Sequence, residues 1–306
     1  MNTSICDLSE TEYLLPGNRT CSGCGLSIAF RSILRALEGK GVVVVPASCL
    51  TVLGGMYPHS SVLVPWLNVS FPSVASSASG VVAGLRAKGR ADEITVVAIA
   101  GDGGTNDIGI QALSGAAERR TDFIYICYDN EAYMNTGTQR SSSTPLGAKT
   151  TTTPVLGKRQ HSKDMPSIME SHGLPYVAVS SAASPVDVYE KVRRARARRG
   201  CTRYLHISTP CPPGWGFPTK DTVNVGRMAI ETGLVVLYEV DDGEFRLTGE
   251  SKTLAESGGK LAPIRDYIKA QRRFRGITDE TIEEIQDWLQ ERWEHCLERA
   301  AEGASG

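Results

Sequence analysis

Four short, almost uninterrupted apolar runs, at 42–45, 94–100, 123–128 and 204–208, constrain this chain more than any other feature. Val42-Val43-Val44-Val45 is the plainest of them. β-Branched residues on both faces of the pleat read as a strand buried on both sides, the habit of a parallel sheet. Between the runs lie helical patterns. Leu26, Ile28, Ala29, Ile33 and Leu37 keep a helical period that stops at Gly39, and 75–85 is an Ala/Ser/Gly-rich, closely packed helix. A helix is expected over 108–119, another over 163–172, and a strand over 176–179. Ser184-Pro185 supplies an N-cap and a first-turn proline for a helix to about Arg199. Strands alternating with helices predict an α/β fold with a doubly wound, mostly parallel sheet.

Two regions break the alternation. Residues 130–162 form a polar stretch with Ser141-Ser142-Ser143, Thr150-Thr151-Thr152-Thr153 and two prolines. A loop of that length inside a compact domain is functional or disordered. Within it, 138–162 reads as a lid or a subunit contact, with Arg140, Lys149 and Lys158 as groups that could meet substrate or a partner. Beyond 220 the pattern changes. Asp241-Asp242-Gly243 marks a hairpin turn, and 279–301 is a long charged helix with Ile282, Ile285, Leu289, Trp293 and Leu297 on one stripe. The expected organisation is a cofactor-binding α/β domain over 1–220 and a C-terminal extension over 221–306, packed on that domain or on a partner.

Function classes narrow quickly. The balance of 33 Lys+Arg against 34 Asp+Glu implies no nucleic-acid or membrane-surface partner. No apolar run reaches the length of a membrane span, and Met1–Asp7 lacks the basic start and apolar stretch of a secretory signal. The expected compartment is the cytoplasm, where the eight cysteines would be reduced.

The chemistry sits just beyond the strands. Cys49 follows the first apolar run, Asp102 the second, Asn130 the third and Cys211 the fourth. In an open α/β sheet the carboxyl edge of the strands is where ligands bind. Gly101-Asp102-Gly103-Gly104 allows a sharp turn and close backbone approach, and the helix after it points its first amides at the same spot. Asp102 is a hard oxygen suited to Mg²⁺, which bridges protein oxygens to substrate phosphates. Asn130 and the carbonyl of Ala132 could add two more oxygens. An ordinary βα turn is the plain alternative. A dinucleotide turn is disfavoured, because Asn106 stands where Gly-x-Gly-x-x-Gly needs its third glycine.

Cys21-Ser22-Gly23-Cys24 could grip one metal centre, with Cys49 and Cys211 completing four thiolates. Four thiolates suit structural zinc or a [4Fe–4S] cluster. Only one pair is close in sequence and prolines flank Cys211, both of which favour the cluster over zinc. A redox disulfide at Cys21–Cys24 is a third reading, although no strand precedes it as in thioredoxin-type motifs. Cys127 reads as core, and Cys6, Cys201 and Cys296 carry no chemistry.

Four segments carry a family resemblance: 16–25 (PGNRTCSGCG), 101–109 (GDGGTNDIG), 128–137 (YDNEAYMNTG) and 209–215 (TPCPPGW). Over about 14–220 the chain resembles the β subunits of the 2-oxoacid:ferredoxin oxidoreductases, and the pyruvate enzymes most of all. The resemblance implies the pyrophosphate-domain type of thiamine diphosphate fold. It assigns Cys21, Cys24, Cys49 and Cys211 to a [4Fe–4S] cluster, and Asp102, Asn130 and the Ala132 carbonyl to Mg²⁺. It places Asn135 beside the thiazolium ring and the substrate as a catalytic residue. It further implies oxidative decarboxylation of pyruvate, electrons passing singly to ferredoxin, and acetyl transfer to coenzyme A. The activating Glu would come from an α subunit, with γ and δ subunits or their equivalents alongside, so that the isolated chain is inactive. Asn68 stands where many pyruvate enzymes of the family carry His, which leaves oxalate or another 2-oxoacid as alternative substrate. A non-redox thiamine decarboxylase or synthase with a Cys₄ zinc site, and a non-catalytic zinc scaffold, are the competing classes. Arg193, Arg194, Arg196, Arg198 and Arg199 suggest a dock for acidic ferredoxin, but a solvated helix face is the preferred reading.

Overall fold

The computed structural model describes residues 8–303, so Cys6 and the first seven residues lie outside it. In chain order the elements are α1 Gly25–Leu37, β1 Gly41–Pro46, α2 Cys49–Gly54, β2 Trp66–Val69, α3 Val74–Ala87 and β3 Thr95–Gly101. They continue with α4 Ile110–Glu118, β4 Ile124–Asp129, α5 Met165–Glu170, β5 Tyr176–Ser181, α6 Pro185–Ala197 and β6 Arg203–Ser208. Then follow α7 Pro212–Trp215, α8 Thr222–Glu231, β7 Tyr238–Asp241, β8 Glu244–Leu247, α9 Gly249–Glu256, α10 Ile264–Lys269 and α11 Asp279–Gly303.

One eight-stranded sheet runs β2-β1-β3-β4-β6-β5-β7-β8. The first six strands in that order are mutually parallel, and β7 and β8 add antiparallel at the β5 edge. The expected doubly wound, mostly parallel sheet is present. Its valine runs are buried on both faces for a visible reason. Val43, Val45, Val97 and Ile99 pack beneath α1, α2 and α6, whereas Val44, Val96, Ala98 and Tyr125 pack beneath α3 and α4. Burying a Val or Ile side chain contributes roughly 1.5–3 kcal/mol, so the two-sided runs drive the fold.

The region beyond 220 shares this core. Val225, Leu237, Ile285, Leu289 and Trp293 belong to the same apolar cluster as Val44 and Tyr125, and the Asp241-Asp242-Gly243 hairpin extends the sheet itself. The basic helix is neither a free cationic dock nor a merely solvated face. Arg194 meets Glu239, Arg196 meets Glu38, Arg198 meets Asp241 and Arg199 meets Asp122. Arg194 and Arg196 pin α6, and Arg198 and Arg199 pin the turn after it, to their neighbours.

The strand order reverses between β1 and β3, since β1 is followed in sequence by β2 on one side and paired with β3 on the other. Such a switch point opens a crevice at the carboxyl edge. Cys49 leaves one side of that crevice and Asp102 the other.

Candidate cofactor and metal site

Cys49, Asp102, Asn130 and Cys211 follow β1, β3, β4 and β6, four consecutive strands of the sheet. The remaining pair, Cys21 and Cys24, is brought to them by the segment after β6. Gly25 N donates to Pro210 O at 3.1 Å and Thr222 Oγ1 donates to Gly23 O at 2.6 Å. Neither glycine could bear a side chain. Gly23 has a left-handed φ of +69° with its Cβ direction closed by Thr219, and a Cβ on Gly25 would stand 2.7 Å from Pro210 O. The C-x-x-C loop is thus moulded onto the Cys211 loop.

All four cysteines line one cavity of about 300 Å³, and all four are unbridged. Burial pushes the thiols of Cys49 and Cys211 up to about 12, with the other cysteines of the group adding to it, and raises Cys24 as well. The buried sulfurs of Cys24, Cys49 and Cys211 resist ionisation unless a positive centre sits beside them. Among the described residues no three His, Cys, Asp or Glu side chains come together closely enough to hold a metal ion as they stand.

Asp102 is buried at 1 % exposure, and among the described residues it has no ion-pair partner. Ser141 Oγ donates to its Oδ2 at 2.5 Å. Burial, then the nearby Asp129 carboxylate, raises its pKa well above the carboxylate range. One atom of the Asn130 side-chain amide lies 3.0 Å from the Ala132 carbonyl oxygen and 3.1 Å from Asp102 Oδ1. Placed as NH₂, that atom donates to both. Placed as the carbonyl oxygen, it joins them in a cluster of three oxygens. Its two contacts match the roughly 3 Å separating neighbouring ligands on an octahedral Mg²⁺ with ~2.1 Å bonds. A buried carboxylate without a cation, facing two neutral oxygens at octahedral spacing, fits a divalent ion.

Gly101, Gly103 and Gly104 line the adjoining cavity of about 40 Å³, with Asn135 at its rim. Gly103 opens a π-helical turn, Gly103–Asp107, before α4 begins at Ile110, so the expected helix start is a widened turn. A Cβ on Gly103 would lie 2.5 Å from the Tyr133 ring. The Ser48 hydroxyl lines the same cavity, buried and without a hydrogen-bond partner among the described residues. An orphaned donor beside glycine amides suits a phosphate oxygen. The volume holds a few waters, against roughly 300–1,000 Å³ for a cofactor-sized ligand.

Several residues that shape the site were not legible in the sequence. Glu131 adopts φ +64° and turns the chain between Asn130 and Ala132. Arg273 clamps it at 2.5 Å while lying 3.9 Å over the Trp215 ring, and Trp215 Nε1 donates to Asn130 O at 2.8 Å. Burial still dominates over Arg273 and lifts the Glu131 pKa to about 7. Trp215 and Glu131 stand inside the quoted motifs. Arg273 carries no local signal at all, since it arrives from the C-terminal region.

The polar stretch 138–162 folds inward. Ser141, Ser143, Thr144 and Lys158 are buried, whereas Arg140, Thr151, Thr152, the 154–156 tip and Arg159-Gln160 are exposed. Lys158 does not face a ligand, because Nζ donates to Ser142 O and Thr144 O, both at 2.6 Å. Arg140 is exposed and reaches Gln160. Asn68 sits on the edge strand, where its Oδ1 accepts from Trp66 Nε1 at 3.0 Å, and it lines neither cavity.

Comparison with known proteins follows the same geometry. The family model described as thiamine pyrophosphate enzyme, C-terminal TPP binding domain, matches residues 49–203. That span holds Cys49, Asp102 and Asn130 and leaves out Cys21, Cys24 and Cys211. Pyruvate synthase subunit PorB of Methanothermobacter thermautotrophicus is 48% identical over 286 residues, covering 92% of this chain and 96% of the relative. Ketoisovalerate oxidoreductase subunit VorB of Pyrococcus horikoshii is 40% identical over 299 residues, covering 95% and 94%. A solved chain of 2-oxoglutarate:ferredoxin oxidoreductase from Magnetococcus marinus superposes with a TM-score of 0.56 at 22% identity, over 66% of this chain and 71% of that one, a likeness of fold.

Proposed function

The chain belongs to the β subunits of the 2-oxoacid:ferredoxin oxidoreductases, with a thiamine diphosphate-binding domain at its centre, and we propose that it serves the oxidative decarboxylation of pyruvate. One observation carries the reading. A hard-oxygen site and a ring of thiols stand on four consecutive strand ends and share a wall. The pyruvate synthase relative, matched almost end to end, supports pyruvate over the other 2-oxoacids.

In this reading Asp102, Asn130 and the Ala132 carbonyl hold Mg²⁺. The amides of the Gly103 turn and the Ser48 hydroxyl meet the diphosphate. Cys21, Cys24, Cys49 and Cys211, which line one cavity, would hold a [4Fe–4S] cluster. Bound thiamine diphosphate supplies the carbon nucleophile that releases CO₂, and the cluster accepts electrons singly. The protein's part is positional. Ser141 fixes one oxygen of Asp102 so that the other turns to the metal, and Glu131, clamped by Arg273, aims the Ala132 carbonyl at the same point. Asn135, at the rim of both cavities, faces the substrate.

The site is half a site. The cavity enclosed here is about 40 Å³, which supports a reading in which an α subunit supplies further surface and the activating Glu. Further subunits, ferredoxin and coenzyme A complete the reaction. Among the described residues no helix is long and apolar enough to cross a membrane; action in the cytoplasm is part of the proposal.

The test is an anaerobic assay of the assembled complex against pyruvate, oxalate, 2-oxoglutarate and branched-chain 2-oxoacids, read by reduction of a low-potential acceptor. Pyruvate should be turned over fastest, and the separate chain should be inert. Equal or greater turnover by the separate chain would refute the half-site. Preference for oxalate would move the substrate assignment.

A further inference from the structure

Four residues line both cavities: Cys49, Asn130, Met134 and Asn135. The first two carry ligand atoms in the reading above, and Asn135 is exposed. Met134 is the remaining member, and nothing assigns it a task. Its thioether is held from two sides. Thr138 Oγ1 donates to Sδ at 3.5 Å, and Gly214, three residues after Cys211, leaves no space for a side chain because a Cβ there would collide with Met134 Sδ. That same Cβ direction points to Cys211 Sγ at 3.3 Å. The methionine sulfur therefore occupies the gap between the thiol ring and the Gly-Asp-Gly pocket, in contact with the loop of one ligand cysteine.

We infer that Met134 is a positioning residue that partitions the two sites and, by keeping the Cys211 side of the thiolate cavity apolar, sets the reduction potential of the metal centre held there. The inference rests on the cluster reading above. Its physical basis is general: solvent exposure and hydrogen bonds at the sulfurs govern cluster potentials, because they stabilise the more negative reduced state. Methionine is suited to the place, since an unbranched, polarizable side chain fills an irregular gap without offering a proton.

The experiment is a redox titration of the assembled complex followed by electron paramagnetic resonance, with iron and sulfide determined on each sample. Met134→Gln brings an amide donor to the Cys211 loop. At the poise where the wild-type cluster is half reduced, that variant should hold about a ten-fold excess of reduced over oxidised cluster, a shift of ~59 mV to the positive for one electron. Gly214→Ala expels the thioether without adding a donor, admits water and should shift in the same direction. Met134→Leu keeps the gap filled and should titrate with the wild type. Wild-type potentials in both Met134→Gln and Gly214→Ala, with full iron content, overturn the inference. Absence of iron from the wild-type chain overturns the cluster reading instead.

Discussion

Replacing Asp102 by Asn separates two roles that a metal ligand usually combines. In the free chain Asp102 is a liability. Its carboxyl is buried without a cation, and burial together with Asp129 pushes its pKa far upward. For an acid whose folded pKa exceeds its unfolded value, stability is full below the unfolded pKa and falls as pH rises toward the folded one. At neutral pH the neutral Asn is the cheaper occupant, and Ser141 can still donate to its side-chain oxygen. Asp102→Asn should therefore leave the melting temperature of the cofactor-free chain unchanged or raised. With Mg²⁺ and thiamine diphosphate the order inverts. A ligand at a hundred times its Kd stabilises the folded state by about 2.7 kcal/mol. For a chain of this size that lifts the midpoint by roughly 5–8 °C, at about 2–3 °C per kcal/mol. The wild type should show that rise and the variant should lose it. Anaerobic thermal unfolding of the full chain, with and without both ligands, is the assay. A variant that keeps the Mg²⁺-dependent rise, or that melts well below wild type without ligands, would refute the assignment of Asp102.

Cys211→Ser removes one thiolate and should lower iron and sulfide per chain in anaerobic analysis, and an undiminished cluster would exclude Cys211 as a ligand. Glu131, with its pKa raised to about 7, should make the cofactor-free chain lose stability as pH climbs from about 4.5 to 7, by about 3 kcal/mol at most. Glu131→Gln should flatten that part of the pH–stability curve, measured by chemical denaturation. Arg273→Met deprives Glu131 of its cation; with the carboxyl at about 7 it can take up a proton instead, so the ionic cost should be about 1.4 kcal/mol at pH 8 and small at pH 6. Gly103→Ala forces a Cβ toward the Tyr133 ring; overpacking of this kind costs about 1–3 kcal/mol, and calorimetry should show weaker diphosphate binding as well.

The sequence made the sheet and its active edge legible because both rest on local signals. Uninterrupted apolar runs announce strands buried on two faces, and Cys49, Asp102, Asn130 and Cys211 each follow one of them within a few residues. The order of the strands was not legible. Nothing local shows that β6 lies next to β4, or that the Asp-Asp-Gly hairpin joins the sheet through β5. The edge strand Trp66–Val69 was missed because it is short and largely exposed. Arg273 was missed for a different reason: its partners Glu131 and Trp215 are distant in sequence. The basic helix misled in the same way, since Glu38, Asp122 and Glu239 lie far from it along the chain. Local composition reports a charge but not what neutralises it.

In the proposed function one chain sets an electron donor beside its acceptor and needs a partner subunit to fire it. Electron paramagnetic resonance of the assembled complex, frozen after anaerobic addition of pyruvate, tests this most directly. A reduced [4Fe–4S] signal that requires Mg²⁺, thiamine diphosphate and the α subunit is the result expected. A chain that binds zinc without iron, or a cluster that stays oxidised when pyruvate is consumed, would contradict it.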